Sequence, residues 1–208
     1  MSQTLRKKNV TIINTGCANI ASVKFAFERL GAKVLVSDDV NEIKVADHVV
    51  LPGVGAAPVA MKSIQSKALT ECIQGLEQPV LGVCLGMQLM VTSSQEADLG
   101  CVEDTTCLNL MPGKVERMQV GELRLPHMGW NQISIVQPSP LFNGIDSGSY
   151  FYFVHSYAVS KYAHTLASCE YGGAFSAAIH RDNFFGVQFH PERSSDAGAQ
   201  LLENFLNL

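Results

Sequence analysis

Apolar positions in the first half of the chain follow two alternating patterns. Short runs rich in β-branched residues at 10–14, 33–36 and 46–51 read as strands, and the run at 79–83 reads as a buried strand. Between them, apolar residues recur at helical spacing over 20–30, with Gly31 as the stop, and over 61–76, which holds one helix or two. Such alternation predicts a mainly parallel sheet covered by helices. The second half differs. Strand candidates at 114–118, 130–136, 150–153, 165–169, 175–180 and 184–189 follow closely, and turn signals such as Pro112-Gly113, Asn143-Gly144 and Gly172-Gly173 separate several of them. They predict short antiparallel strands added to the edge of the parallel sheet, and a helix at 197–206 closes the chain. No repeat or linker interrupts the 208 residues, so residues 1–208 are expected to form one α/β domain.

Composition narrows the class of partner. With 47% hydrophobic and 16% charged residues the chain is not disordered, and a net charge of -4 offers no broad basic surface. A small-molecule substrate or a protein partner is expected, not nucleic acid. No apolar run approaches the roughly 20 residues of a membrane span, and the start of the chain lacks a signal-peptide core, so a cytoplasmic protein is expected. The six cysteines then read as reduced thiols. None has the Cys-x-x-Cys or Cys/His spacing of a zinc site, and neither a metal nor another cofactor is expected.

One cysteine stands apart. The run from Pro79 leads into Gly82-Val83-Cys84-Leu85-Gly86 and then a predicted helix over 87–93, which is the thiol form of a nucleophile elbow. Glycines on both sides let the chain reverse sharply at Cys84, and N–H groups at the start of the helix favour a thiolate. A thiol also needs a base, because its reference pKa of about 8.5 leaves little thiolate at neutral pH. Phe189-His190-Pro191-Glu192 supplies one at the end of another strand. His190 takes the thiol proton, and Glu192, two residues on, orients the imidazole. Taken alone, such a turn is ordinary surface; its pairing with the elbow gives it meaning. A third strand ends in Leu51-Pro52-Gly53-Val54-Gly55. Backbone N–H groups of Gly53 or Val54, with that of Leu85, are candidates for holding an oxyanion.

Together the three motifs resemble the class I glutamine amidotransferases, over nearly the whole chain. The stretches Pro126-His127-Met128-Gly129-Trp130-Asn131 and Tyr152-Phe153-Val154-His155-Ser156-Tyr157 bring the resemblance closer to one branch, the glutaminase subunits of imidazole glycerol phosphate synthase. The resemblance implies hydrolysis of L-glutamine to glutamate and ammonia, which a separate cyclase subunit uses in histidine biosynthesis. It further implies that Gln88, Glu96, Ser156 and Tyr157 hold the glutamine, and that Asn19, His127, Met128 and Trp130 face the cyclase. Ala18 departs from the family, which often has glycine there. Three other readings remain open. The triad could serve a different amidotransferase, the chain could be a non-catalytic regulatory module, or Cys84, His190 and Glu192 could hold a metal ion.

Overall fold

The computed structural model describes residues 7–16, 20–97 and 103–208. Asn19, expected at the partner interface, and its neighbours Cys17 and Ala18 lie outside the described residues. The first half contains β1 (Asn9–Ile13), β2 (Lys33–Ser37), β3 (His48–Leu51) and β4 (Val80–Val83). Among them run α1 (Ile20–Arg29), α2 (Val40–Lys44), α3 (Ala57–Ser66) and α4 (Thr70–Gln74), and α5 (Leu85–Leu89) follows β4. Next come β5 (Ser93–Ser94), β6 (Thr105–Thr106), β7 (Lys114–Arg117), β8 (His127–Ile135) and β9 (Tyr150–His155). The chain finishes with β10 (Tyr157–Val159), β11 (Thr165–Glu170), β12 (Ala174–Arg181), β13 (Phe184–Val187) and α6 (Ser195–Leu206).

Nine strands form one sheet in the order β2-β1-β3-β4-β13-β12-β11-β8-β9. From β2 to β13 neighbours are parallel, and from β13 to β9 they are antiparallel. The expected parallel sheet with an antiparallel extension is present, and the two parts contribute equally. A smaller sheet, β10-β7-β5-β6, stands beside it.

Alternation along the parallel strands builds a core on each face. Val10, Ile12, Val50, Leu81 and Val83 pack with Phe27 of α1 and Phe205 of α6. Ile13, Val49, Leu51 and Val80 pack on the other face with Met61 and Ile64 of α3 and Ile73 of α4. With both faces covered, these strands read as continuous apolar runs. Helix α1 buries Val23, Ala26 and Phe27, spaced three and four apart, and stops at Gly31, whose φ of +84° is open to glycine. The predicted helix over 61–76 is two helices, broken where Ala68 takes a φ of +54°.

Candidate active site

The carboxyl ends of β3, β4 and β13 lie side by side at the centre of the sheet, where loops leaving parallel strands converge. Register sets their alignment: Leu51 pairs with Gly82, and Val83 with Val187. The next residues along each chain are therefore the Pro52-Gly53-Val54-Gly55 loop, Cys84, and Gln188 leading to His190. Cys84 has φ +53° and ψ -109°, outside the regions open to most residues, a conformation that costs about 1–3 kcal/mol. Hydrogen bonds on both sides hold it there, from its N–H to Val187 O at 2.8 Å and from the Gln88 N–H to its own carbonyl at 3.2 Å.

The elbow has no room for side chains on its flanking residues. A Cβ on Gly86 would lie 1.8 Å from Leu51 O, and one on Gly82 would lie 2.8 Å from the Gly86 carbonyl. Gly53 presses on the same turn, since a Cβ there would come within 2.7 Å of the Leu85 Cβ. The N–H groups of Gly53, Val54 and Leu85 donate to no acceptor among the described residues. The predicted helix over 87–93 begins two residues earlier and is shorter, Leu85–Leu89.

His190 is 2% exposed, and its Nδ1 lies 2.9 Å from Glu192 Oε1. The turn that carries both is pinned from three directions. The His190 N–H donates to Tyr152 O at 2.8 Å, the Ser194 hydroxyl donates to His190 O at 2.6 Å, and the Tyr152 N–H donates to Ser194 Oγ at 3.0 Å. Helix α6 packs hard against this turn, because a Cβ on Gly198 would lie 2.0 Å from Pro191 O. Nδ1 faces Glu192, and Nε2 has no hydrogen-bond partner among the described residues. Burial opposes charge on His190, but Cys84 and Glu192 outweigh it and push the imidazole up to about 10.

Cys84 and His190 share a cavity of about 310 Å³ with Val54, Leu85, Gln88, Glu96, Ser156 and Tyr157. Gly53 and Glu192 stand behind these residues. The Gln88 side chain is 5% exposed, and its Nε2 donates to Tyr157 O and to Gln188 Oε1, each at 2.9 Å. Glu96 accepts from the Ala57 N–H at the start of α3 at 2.8 Å. Burial raises its carboxyl, and that N–H pulls the other way. Two residues of the site escaped sequence reasoning. His155 lines the cavity, and Gln188, fully buried, donates to Cys84 Sγ at 3.7 Å. Gln188 sits inside an apolar strand run, where a lone buried amide was the available signal.

The expected partner-facing residues divide by strand alternation. Met128 and Trp130 point outward from β8 and are 62% and 52% exposed. His127 points inward and is buried between Tyr171 and Phe153, with ring centroids 4.0 and 4.9 Å away. Odd and even positions of a strand face opposite sides, so His127 cannot share a surface with the other two. Its imidazole bonds instead to His155 at 3.1 Å and to Asn131 at 3.2 Å.

The family described as glutamine amidotransferase class-I matches residues 11–208. Among named relatives, imidazole glycerol phosphate synthase subunit HisH of Shewanella oneidensis is 54% identical over the full length of both chains. HisH of Vibrio cholerae is 53% identical, covering 97% of this chain and 99% of its own, and HisH of Haemophilus influenzae is 54% identical over 95% and 96%. Among solved structures, a PurLQS structure from Thermotoga maritima aligns with a TM-score of 0.71 over 97% of this chain and 98% of its own. A glutamine amidotransferase from the same organism aligns with a TM-score of 0.60 over 89% and 76%. At 17% and 20% identity these two speak for the fold alone. By sequence, fold and the meeting of its three strand-end motifs, this chain belongs to the class I glutamine amidotransferase family, in the branch of the HisH subunits of imidazole glycerol phosphate synthase.

Proposed function

We propose that Cys84, His190 and Glu192 act as a thiol triad, in one glutaminase domain that passes ammonia to a separate cyclase. The chain hydrolyses L-glutamine to glutamate and ammonia for imidazole glycerol phosphate synthesis in the histidine pathway. The observation that carries the triad is the meeting of a strained Cys84 and a Glu192-bonded His190 in one cavity. The sulfur, its proton given to His190, attacks the side-chain carboxamide carbon of glutamine. Negative charge builds on the former carbonyl oxygen, and the N–H groups of Val54 and Leu85 stabilise it. A C–S bond forms, and the C–N bond breaks as His190 hands its proton to the leaving ammonia. His190 then draws a proton from water, which attacks the thioester and frees glutamate. Beside a charged Cys84 the imidazole is raised to about 10 and keeps the proton it has taken. Once the C–S bond forms that partner charge is gone, and His190 can give the proton up and later act as the base.

Gln88 and Glu96 receive the α-amino group of glutamine, and Ser156 and Tyr157 flank the other side. The Gln88 nitrogen is committed to Tyr157 and Gln188, so its Oε1 is the end left for an ammonium group. Met128 and Trp130 offer the cyclase an apolar face. Across the ladder Met128 pairs with Val154, which lines the cavity, so a partner seated there lies against the site mouth. No helix among the described residues is long and apolar enough to cross a membrane.

The test is glutamate release by the purified chain, alone and with a histidine-pathway cyclase and its ribotide ligand, with Cys84→Ala as control. Little activity alone, strong stimulation in the mixture and loss in the variant are expected. Activity in Cys84→Ala equal to the parent removes the triad.

A further inference from the structure

A buried chain of amides ends on the Cys84 sulfur, and a main-chain carbonyl fixes its direction. Gln88 Nε2 donates to Tyr157 O at 2.9 Å. A backbone carbonyl can only accept, so the end of Gln88 facing it is the nitrogen. The second N–H of that nitrogen meets Gln188 Oε1, also at 2.9 Å. Gln188 is thereby turned with its oxygen to Gln88 and its Nε2 to Cys84 Sγ, 3.7 Å away. Tyr157 O is itself steadied by a second donor, His155 Nδ1, at 2.9 Å. Strand register sets up the contact, since pairing of Val83 with Val187 brings the following residues, Cys84 and Gln188, together.

We propose that Gln188 is a positioning residue for the nucleophile: its locked amide presents a donor, never an acceptor, to Cys84 Sγ and so favours the thiolate. The proposal rests on Cys84 as the nucleophile. A hydrogen bond to an anionic acceptor is stronger than one to its neutral form, so the donor stabilises the reactive state more than the resting thiol. The same chain sets the free Oε1 of Gln88, coupling the aim of the nucleophile to the substrate's amine. A buried side chain that merely filled space would do neither. The titratable groups sharing the cavity with Cys84 are His190, His155, Glu96 and Tyr157, with Glu192 behind His190. Substitution at Gln188 leaves all of them in place.

The experiment uses the full chain as wild type, Gln188→Met and Gln188→Glu, with folding checked by circular dichroism. The rate of Cys84 alkylation by iodoacetamide is followed by peptide mass spectrometry from pH 5 to 10. Methionine keeps the length and removes the donor, so the midpoint should rise by about one unit, an acid-limb loss of about tenfold. The alkaline plateau should stay within about threefold, because access to the sulfur is unchanged. Glutamate, which places an acceptor by the sulfur, should shift the midpoint further. It matches glutamine in shape and decides the matter if Gln188→Met does not fold. An unchanged midpoint in the folded variants overturns the proposal and leaves the triad standing. Absence of Cys84 labelling in the wild type at every pH removes the triad reading itself.

Discussion

Replacing His48 by leucine separates the cost of burying an imidazole from the cost of repacking around it. His48 begins β3, is 2% exposed and packs edge-on to Phe205 with centroids 5.1 Å apart. Neither ring nitrogen has a hydrogen-bond partner among the described residues. Burial first, then the nearby charge of Lys8, lowers its pKa from 6.5 to about 4, against an opposing pull from Asp47. The ring is therefore neutral in the fold above about pH 4, while in the unfolded chain it takes up a proton below about 6.5. Stability is at its full value above 6.5 and falls as pH drops towards 4. Each pH unit in that window removes about 1.4 kcal/mol, so this ring alone costs about 2 kcal/mol at pH 5. Leucine does not titrate. Urea unfolding followed by far-UV circular dichroism should show the difference between His48→Leu and wild type growing by about 2 kcal/mol, in the variant's favour, from pH 7.5 to pH 5. The offset at pH 7.5 reads packing and the two unpaired nitrogens and does not enter the slope. Parallel stability curves would refute the reasoning. Both proteins should still weaken in acid, because burial also lowers His127 to about 4 and His155 to about 3.

Other residues give equally direct tests. Gly86→Ala should destabilise by about 3 kcal/mol or more and abolish glutamine hydrolysis, since its Cβ would meet Leu51 O at 1.8 Å; a shift in melting temperature within error counts against the close fit. Glu192→Gln keeps an acceptor near His190 Nδ1 but removes the charge, so kcat should fall by about a hundredfold or more with KM little changed. The imidazolium of His190 should persist to about pH 10 by nitrogen NMR and titrate lower in Cys84→Ala, where one of its two charge partners is gone. The associated stability is present below 6.5 and is lost as pH rises through about 10. Trp130→Ala should weaken binding to the cyclase by at least about tenfold, as loss of an aromatic anchor does, while the free chain's melting temperature stays unchanged.

Contiguous signals made most of the site legible from sequence. The apolar run before Cys84, the flanking glycines and the His190–Glu192 spacing are all local, and local chemistry requires them. Most of what escaped depends on contacts between distant segments. The two-residue strands β5 and β6 exist only because they pair with each other and β5 pairs with β7. Helix α2 is short, yet Asp39 caps it by accepting from the Asn41 and Glu42 N–H groups, so a capping signal was there to be read. Helix α5 starts earlier than predicted because Gly86 marks close approach to β3, not a gap before the helix. The motif around His127 implies a surface position shared with Met128 and Trp130, whereas its odd position on β8 turns it inward. For Gln188 the local signal is only a lone amide in an apolar run, and strand register is what brings it to the sulfur.

The tight seating of the elbow limits where the Cys84 sulfur can go. With Leu51 O pressed on Gly86, and Gly82 folded under the same turn, Cys84 has no slack in which to be re-aimed. Movement beside Cys84 is left to parts with open space around them. Beside Cys84 that description fits the loop after β3, where Gly55 has φ +98° and nothing within 4 Å of its Cβ position. The elbow is thus a rigid fixture in the sheet, and the sulfur keeps one place whatever the loop beside it does.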